Sequence, residues 1–185
     1  MMAHSIFETG SPVDIAMVLA NRDRRVAVQQ RILEQTPDET LIVTKLNVPG
    51  PIKNNAALQQ LFTVGVSRFR SVLAQANLAV TQITEWHELT GNELFWRSSA
   101  TSAAVKRAAV TFEDTDVLGR IFDVDILTGN PAKAISRTAL GFPVRRCFVC
   151  QRPAKECARS RRHSVAELTD CISKLATNGG EVRDK

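Results

Sequence analysis

No stretch of the 185-residue chain approaches the roughly 20 consecutive apolar residues that a membrane-spanning helix requires, so a transmembrane helix is excluded. The opening residues, Met1 to Gly10, lack a basic region followed by an apolar one, which argues against a secretory signal and makes a cytoplasmic location the expectation. Internal repeats and low-complexity tracts are also missing, so neither a solenoid nor a biased disordered array is indicated. Histidine is scarce, at three residues: His4 falls in a segment expected to be disordered, His87 reads as a surface or core residue, and His163 alone has neighbours that suggest chemistry. No nucleophile paired with a base is legible anywhere in the chain.

What is present fits one ordinary domain. A hydrophobic content of 44% and a charged content of 23% are those of a globular chain long enough to bury a core. The expected organisation is a flexible N-terminus over 1–10, a single domain over 11–177 that includes a Cys-rich basic segment at 145–163, and a flexible tail over 178–185. The net charge of +5 is unevenly placed: seven basic residues against one acid between Arg145 and His163 give +6 there and −1 elsewhere. A cationic surface of this density calls for an anionic partner, whether nucleic acid, a polyphosphate ligand or an acidic protein.

Periodicity gives an α+β fold, with a mixed or antiparallel sheet packed against two long amphipathic helices and a final helix after the Cys-rich segment. Ser11-Pro12-Val13-Asp14 reads as the start of the first helix, with Ser11 as its cap and Ile15, Val18, Leu19, Val26 and Leu33 recurring at helical spacing. Arg22 and Arg25 lie on its polar side, either as solvated charges or as phosphate contacts. Thr40–Val48 is β-branched and strand-like, and Pro49-Gly50-Pro51-Ile52-Lys53 turns it into the second helix, whose apolar set runs from Leu58 to Leu73 and whose Gly65 suits a close approach. Further strands are expected over 79–88, 94–96 and 108–112, and a short helix over 102–107. A hairpin strand at Lys133–Arg137 is expected to bring Arg137 beside the strand before it. Ser164-Val165-Ala166-Glu167 is a capping box opening the last helix, in which Cys171 is read as core.

Two constellations carry chemistry. In Gly119–Leu127, strand alternation sends Asp123 and Asp125 to one face and Phe122, Val124 and Ile126 to the other. Carboxylates about 6 to 7 Å apart along a strand suit Mg2+. Equally, they suit an acidic half-exposed face. With Mg2+ on this pair and phosphate oxygens on Arg120, Arg137, Lys53, Arg145 and Arg146, the site has the positioning and charge neutralisation that phosphoryl or nucleotidyl transfer requires. The second constellation, Cys147-x2-Cys150-x6-Cys157-x5-His163, offers thiolates and imidazole for a structural Zn2+, although its spacing departs from the common zinc-finger pattern. A redox Cys pair or plain buried thiols are the competing readings.

Together Pro49-Gly50-Pro51-Ile52-Lys53, Leu118-Gly119-Arg120-Ile121-Phe122-Asp123-Val124-Asp125, Ile135-Ser136-Arg137, Arg145-Arg146-Cys147-Phe148-Val149-Cys150 and Cys157-Ala158-Arg159 resemble the apo-citrate lyase phosphoribosyl-dephospho-CoA transferase family. The similarity runs from Val13-Asp14 and Arg22-Asp23 to the last helix. It implies a nucleotidyltransferase-type enzyme that takes 2'-(5''-triphosphoribosyl)-3'-dephospho-CoA and attaches its phosphoribosyl-dephospho-CoA part to a serine of the citrate lyase acyl carrier protein, releasing pyrophosphate. The partner's serine would then be the nucleophile that this chain lacks, and the basic segment would meet an acidic carrier. Members often carry His-Pro before Leu-Gly-Arg where this chain has Asp116-Val117, so no histidine role carries over, and Asp116 is read as a further acid near the metal. The alternative from a different class is a zinc-stabilised nucleic-acid-binding module, with membrane binding excluded.

Overall fold

Apolar side chains on both faces of Thr40–Leu46 make this segment an interior strand, β1. The structure, a computed structural model, describes residues 5–179. In chain order, helix α1 (Ile15–Gln35) precedes β1, helix α2 (Ala56–Gln75) follows it, and a hairpin of β2 (Thr81–Glu88) and β3 (Gly91–Ser98) leads to helix α3 (Ser102–Thr115). A 3-10 turn at Gly119–Ile121 then feeds β4 (Phe122–Leu127); a second at Arg137–Leu140, short α4 (Ala154–Arg159) and α5 (Val165–Asn178) complete the chain. The four strands form one antiparallel sheet in the order β2-β3-β1-β4. The fold is therefore α+β, and the sheet is the antiparallel one of the two kinds expected.

Strand alternation divides the core between the two faces of the sheet. Ile42, Leu94, Trp96, Phe122, Val124 and Ile126 point to the side covered by α2 and α3, where they meet Leu58, Leu61, Phe62, Phe69, Leu73 and Phe112. Gly65 is needed there, because a Cβ on it would lie 2.2 Å from the Phe122 ring. Leu41, Val43, Phe95 and Leu127 point the other way, against Ile32 and Leu33 of α1. Only the C-terminal half of α1 thus packs on apolar surface. Its N-terminal apolar residues, expected inward, are exposed: Ile15 by 77% and Leu19 by 50%. In this half of α1 the side chains that reach the sheet are Asn21 and Arg25, which bind Glu93.

Several local expectations change. The cap of α1 is Asp14, whose carboxylate accepts from Met17 N at 2.8 Å; Ser11 and Pro12 lie before it. The expected strand at 108–112 belongs to α3, which runs unbroken from its Thr101 cap. No strand forms at Lys133–Arg137. A single backbone hydrogen bond ties it to β4 among the described residues, from Ile135 N to Ile126 O at 2.8 Å, after which the chain coils into the 3-10 turn at Arg137. The capping box of α5 is present, with Ser164 and Glu167 exchanging both bonds. Of the segment before Ser11, Ile6 is buried and its N–H donates to Ser173 Oγ at 3.2 Å, while residues 1–4, with His4, lie outside the described residues.

Candidate active site and metal-binding cluster

Four charged side chains meet at one end of the sheet on the α1 face. Register places Lys45 of β1 between Glu93 of β3 and Asp123 of β4. Lys45 Nζ lies 2.8 Å from Asp123 Oδ2 and 2.5 Å from Asp125 Oδ2, so an ammonium bridges the two carboxylates. Burial works against the charge on Lys45, but Asp123 and Asp125 outweigh it and raise its pKa. For Asp123 burial is the largest single influence and acts upward, but the charge and hydrogen bond of Lys45, with the charges of Arg145 and Lys106, together outweigh it and leave the carboxyl below its ordinary range. Beside them Glu93 is held by Arg25 at 2.5 and 2.7 Å and by Asn21 at 2.6 Å. Arg25 is therefore committed to an internal ion pair.

The outer edge of β4 is occupied by side chains. Val124 N donates to Glu113 Oε1 at 3.0 Å, Val124 O accepts from Lys106 Nζ at 3.0 Å, and Phe122 O accepts from Arg145 Nη2. Lys106 and Glu113 are both buried on α3. Glu113 also faces Arg145 at 3.6 Å and Arg137 at 3.7 Å, and Arg137 pairs with Asp114 at 2.7 Å. Burial pushes the Glu113 carboxyl up, with Arg145 and Lys106 opposing.

The third element is the Cys-rich segment. Its turn is closed by Cys147 N to Arg152 O, 2.9 Å, and Ala154 N to Arg145 O, 2.8 Å, and Arg120 clamps it by donating to Arg146 O at 2.8 Å. The ligand atoms of Cys147, Cys150, Cys157 and His163 all lie within 4.8 Å of one another. Cys150 Sγ is 3.5 Å from Cys157 Sγ and 3.3 Å from His163 Nε2. Ligands at about 2.1 to 2.3 Å from a tetrahedral ion are roughly 3.5 to 3.8 Å apart, so this set can hold a metal. A backbone N–H from Arg152, then His163, bring the Cys150 thiol down to about 6, which favours the thiolate a metal binds. Cys171 stands outside the cluster: half-buried, it donates to Phe148 O at 3.2 Å.

Between the sheet and this segment lies a cleft of about 1050 Å³. Asp123, Arg137 and Arg145 line one side, and Lys155, Arg159, Arg161 and His163 the other. The sequence-selected residues thus separate. Asp123, Arg137, Arg145 and three of the four metal ligands border the cleft, whereas Asp125 turns to Lys45. Arg120 and Arg146 border a neighbouring cavity of about 430 Å³ that Arg137 also lines. Lys53 spends its ammonium on Val48 O, 2.6 Å, with its pKa lowered by burial, and Arg22 is exposed on α1 away from the cleft lining. Asp116 accepts from Leu118 N and Gly119 N and pairs with Arg68 at 3.4 Å, so it forms the turn into β4. His87 pairs with Glu85 and Asn92 on the β2-β3 hairpin. Lys45 and Glu113 were not singled out from sequence. A lone lysine in an apolar strand is a signal for the first; for the second there is none when the expected helix stops at 107 and 108–112 reads as a strand, which leaves Glu113 in a connection.

A family model described as apo-citrate lyase phosphoribosyl-dephospho-CoA transferase matches residues 13–179, nearly the whole chain. The chain belongs to that family. A relative from Streptococcus pyogenes serotype M18 (strain MGAS8232), named probable apo-citrate lyase phosphoribosyl-dephospho-CoA transferase, is 32% identical over 177 residues, covering 94% of this chain and 91% of the relative. One from Citrobacter koseri, named apo-citrate lyase phosphoribosyl-dephospho-CoA transferase, is 32% identical over 162 residues, 86% of each. The protein CitXG of Leuconostoc mesenteroides subsp. cremoris is 33% identical over 93% of this chain, which spans 37% of that longer protein. Membership of a transferase family does not favour the nucleic-acid alternative. Among the described residues no helix is long and apolar enough to cross a membrane.

Proposed function

We propose that the chain is the cytoplasmic enzyme that transfers the phosphoribosyl-dephospho-CoA group from 2'-(5''-triphosphoribosyl)-3'-dephospho-CoA to a serine of the citrate lyase acyl carrier protein. The observation that carries this reading is the cleft in which Asp123 faces a ring of cations, Arg137, Arg145, Lys155, Arg159 and Arg161. Its volume, about 1050 Å³, suits a large polyanionic donor, and its cationic rim suits an acidic carrier domain. Release of pyrophosphate fixes the bond changes. The serine Oγ forms a bond to the α-phosphorus and loses its proton to solvent; the bond from the α-phosphorus to the bridging oxygen breaks, and its electron pair leaves with pyrophosphate. Such transfer depends on placement and on neutralising phosphate charge, which guanidinium and ammonium groups supply.

Mg2+ is part of this reading as the counter-ion of the triphosphate, where it would neutralise phosphate charge. Asp123 fits as its protein ligand, because it borders the cleft and is held as the carboxylate. Asp125 does not fit as the second, since it does not border the cleft, although Lys45 holds an oxygen of each carboxylate. One carboxylate completed by substrate phosphates is a common Mg2+ arrangement. Zn2+ is the ion proposed for the three thiols and His163: four protein ligands leave no open position, so its role is to hold the far wall of the cleft. Intact-mass measurement of apo carrier protein incubated with enzyme, donor and Mg2+ tests the proposal. The expected result is a gain of one phosphoribosyl-dephospho-CoA group on the carrier, and no gain refutes it.

A further inference from the structure

Arg137 and Arg145 come from an irregular stretch of chain, yet both are fixed against the same buried carboxylate. Arg137 Nη2 meets Asp114 at 2.7 Å and Glu113 at 3.7 Å; Arg145 Nη2 meets Phe122 O and, at 3.6 Å, Glu113. Their side chains are only 12% and 18% exposed. Each guanidinium has five N–H donors, and in both the anchoring uses Nη2. The Nε of each is buried without any acceptor, a state that costs free energy until a ligand or water supplies one. The Nη1 group of each, with two N–H donors, makes no hydrogen bond among the described residues and is left for an anion. The charges follow a row of which Asp123, Arg145 and Arg137 line the cleft: Lys45 holds Asp123, the Arg145 charge acts on Asp123, Glu113 joins Arg145 to Arg137, and Asp114 ends the row.

We infer that Glu113 is a positioning residue that holds Arg137 and Arg145 as the seat for the two outer phosphates of the donor, the pair that leaves as pyrophosphate. Asp123, at the other end of the row, then falls beside the phosphate under attack. A diphosphate offers oxygens on two adjacent phosphorus atoms, matching two guanidiniums tied to one carboxylate, and paired Arg–phosphate contacts are strong because they are charge-assisted and geometrically forked. Glu113 touches neither phosphate nor carrier. Its part is to keep the two cations side by side, where their mutual repulsion would otherwise drive them apart. The inference rests on the transferase reading for the identity of the anion and on geometry for the seat.

The test is calorimetric titration of the full-length protein with inorganic pyrophosphate and, separately, with dephospho-CoA, which lacks the triphosphate. Glu113→Gln keeps an acceptor for Val124 N–H and removes only the charge. It is expected to weaken pyrophosphate binding by about tenfold or more while leaving dephospho-CoA binding within about twofold, and to raise the donor KM more than it lowers kcat. Equal losses for both ligands, or unchanged pyrophosphate binding, would overturn the assignment. Should Glu113→Gln lose its cooperative unfolding transition, Arg137→Lys decides: it keeps the charge but not the fork, so unchanged pyrophosphate affinity in that variant overturns the seat. Wild-type protein that binds pyrophosphate through these arginines but adds nothing to the carrier would leave the seat standing and remove the transferase reading.

Discussion

Removing the Zn2+ proposed for the Cys147, Cys150, Cys157 and His163 cluster should free one segment of the protein and leave the rest folded. Over residues 143–163 the buried side chains are Cys147 and Cys157, with Phe148 partly covered. Burial of these groups contributes about 4 kcal/mol. Ordering the backbone of some 20 residues costs about 20 kcal/mol at the lower end of the usual range. The difference, about 16 kcal/mol, is close to the roughly 10 to 16 kcal/mol that a structural Zn2+ supplies in small zinc domains. Chelation should therefore unhook 143–163, whereas the sheet, whose core includes the fully buried Trp96 and Phe122, keeps its own stability. Hydrogen exchange read by mass spectrometry is the direct assay: amides in 143–163 lose protection in EDTA, those of β1, β3 and β4 keep theirs, and tryptophan fluorescence from Trp86 and Trp96 is unchanged. Trypsin should then cut at Arg152, Lys155, Arg159, Arg161 and Arg162. Equal protection of 143–163 with and without chelator, or less than one equivalent of zinc after reconstitution, would refute the reasoning.

Lys45→Met leaves two carboxylates facing each other, and because both are partly exposed the cost should be about 1 to 3 kcal/mol by denaturant unfolding. In the wild type Asp123 has a folded pKa below its unfolded one, so its contribution is complete above the ordinary carboxylate range and is lost as pH falls through the folded value; Lys45→Met should flatten that acid limb. Gly65→Ala forces a methyl into the Phe122 ring and is expected to destabilise by about 1 to 3 kcal/mol despite alanine's better helix propensity, a shift visible in Tm. Asp123→Asn should abolish carrier modification with unfolding unchanged to within about 1 kcal/mol, and an active Asp123→Asn would remove that residue from the site.

Legibility from the sequence followed the distance over which each signal acts. The capping box of α5, the strand β1 and the alternation of Asp123 and Asp125 against Phe122, Val124 and Ile126 are local patterns, and each appears in the structure. The convergence of Cys147, Cys150, Cys157 and His163 into a set that could hold a metal was readable because the four lie within 17 residues. Lys45 was missed because its tie to Asp123 is a matter of strand register, set by pairing between segments far apart in the chain. Glu113 was missed because Ala-rich α3 contains Val110, Thr111 and Phe112, residues that favour strands when read in isolation, so no helix face was available on which to place it. The inward reading of Ile15, Val18 and Leu19 failed for a different reason. Periodicity identifies a stripe, but not what lies opposite the helix, and in this half of α1 it is Asn21 and Arg25 that reach the sheet, at Glu93.

β4 is the last strand of the sheet, and the groups on its open side are taken by Glu113, Lys106, Arg145 and Ile135 N. An uncovered strand of this kind is a template for pairing with a second molecule. The side chains beside the cleft therefore also cover the edge of the sheet, and losing them exposes an adhesive border. Variants that strip this edge, such as Lys106→Ala combined with Glu113→Ala, should be found in the pellet or as oligomers before their catalysis can be measured.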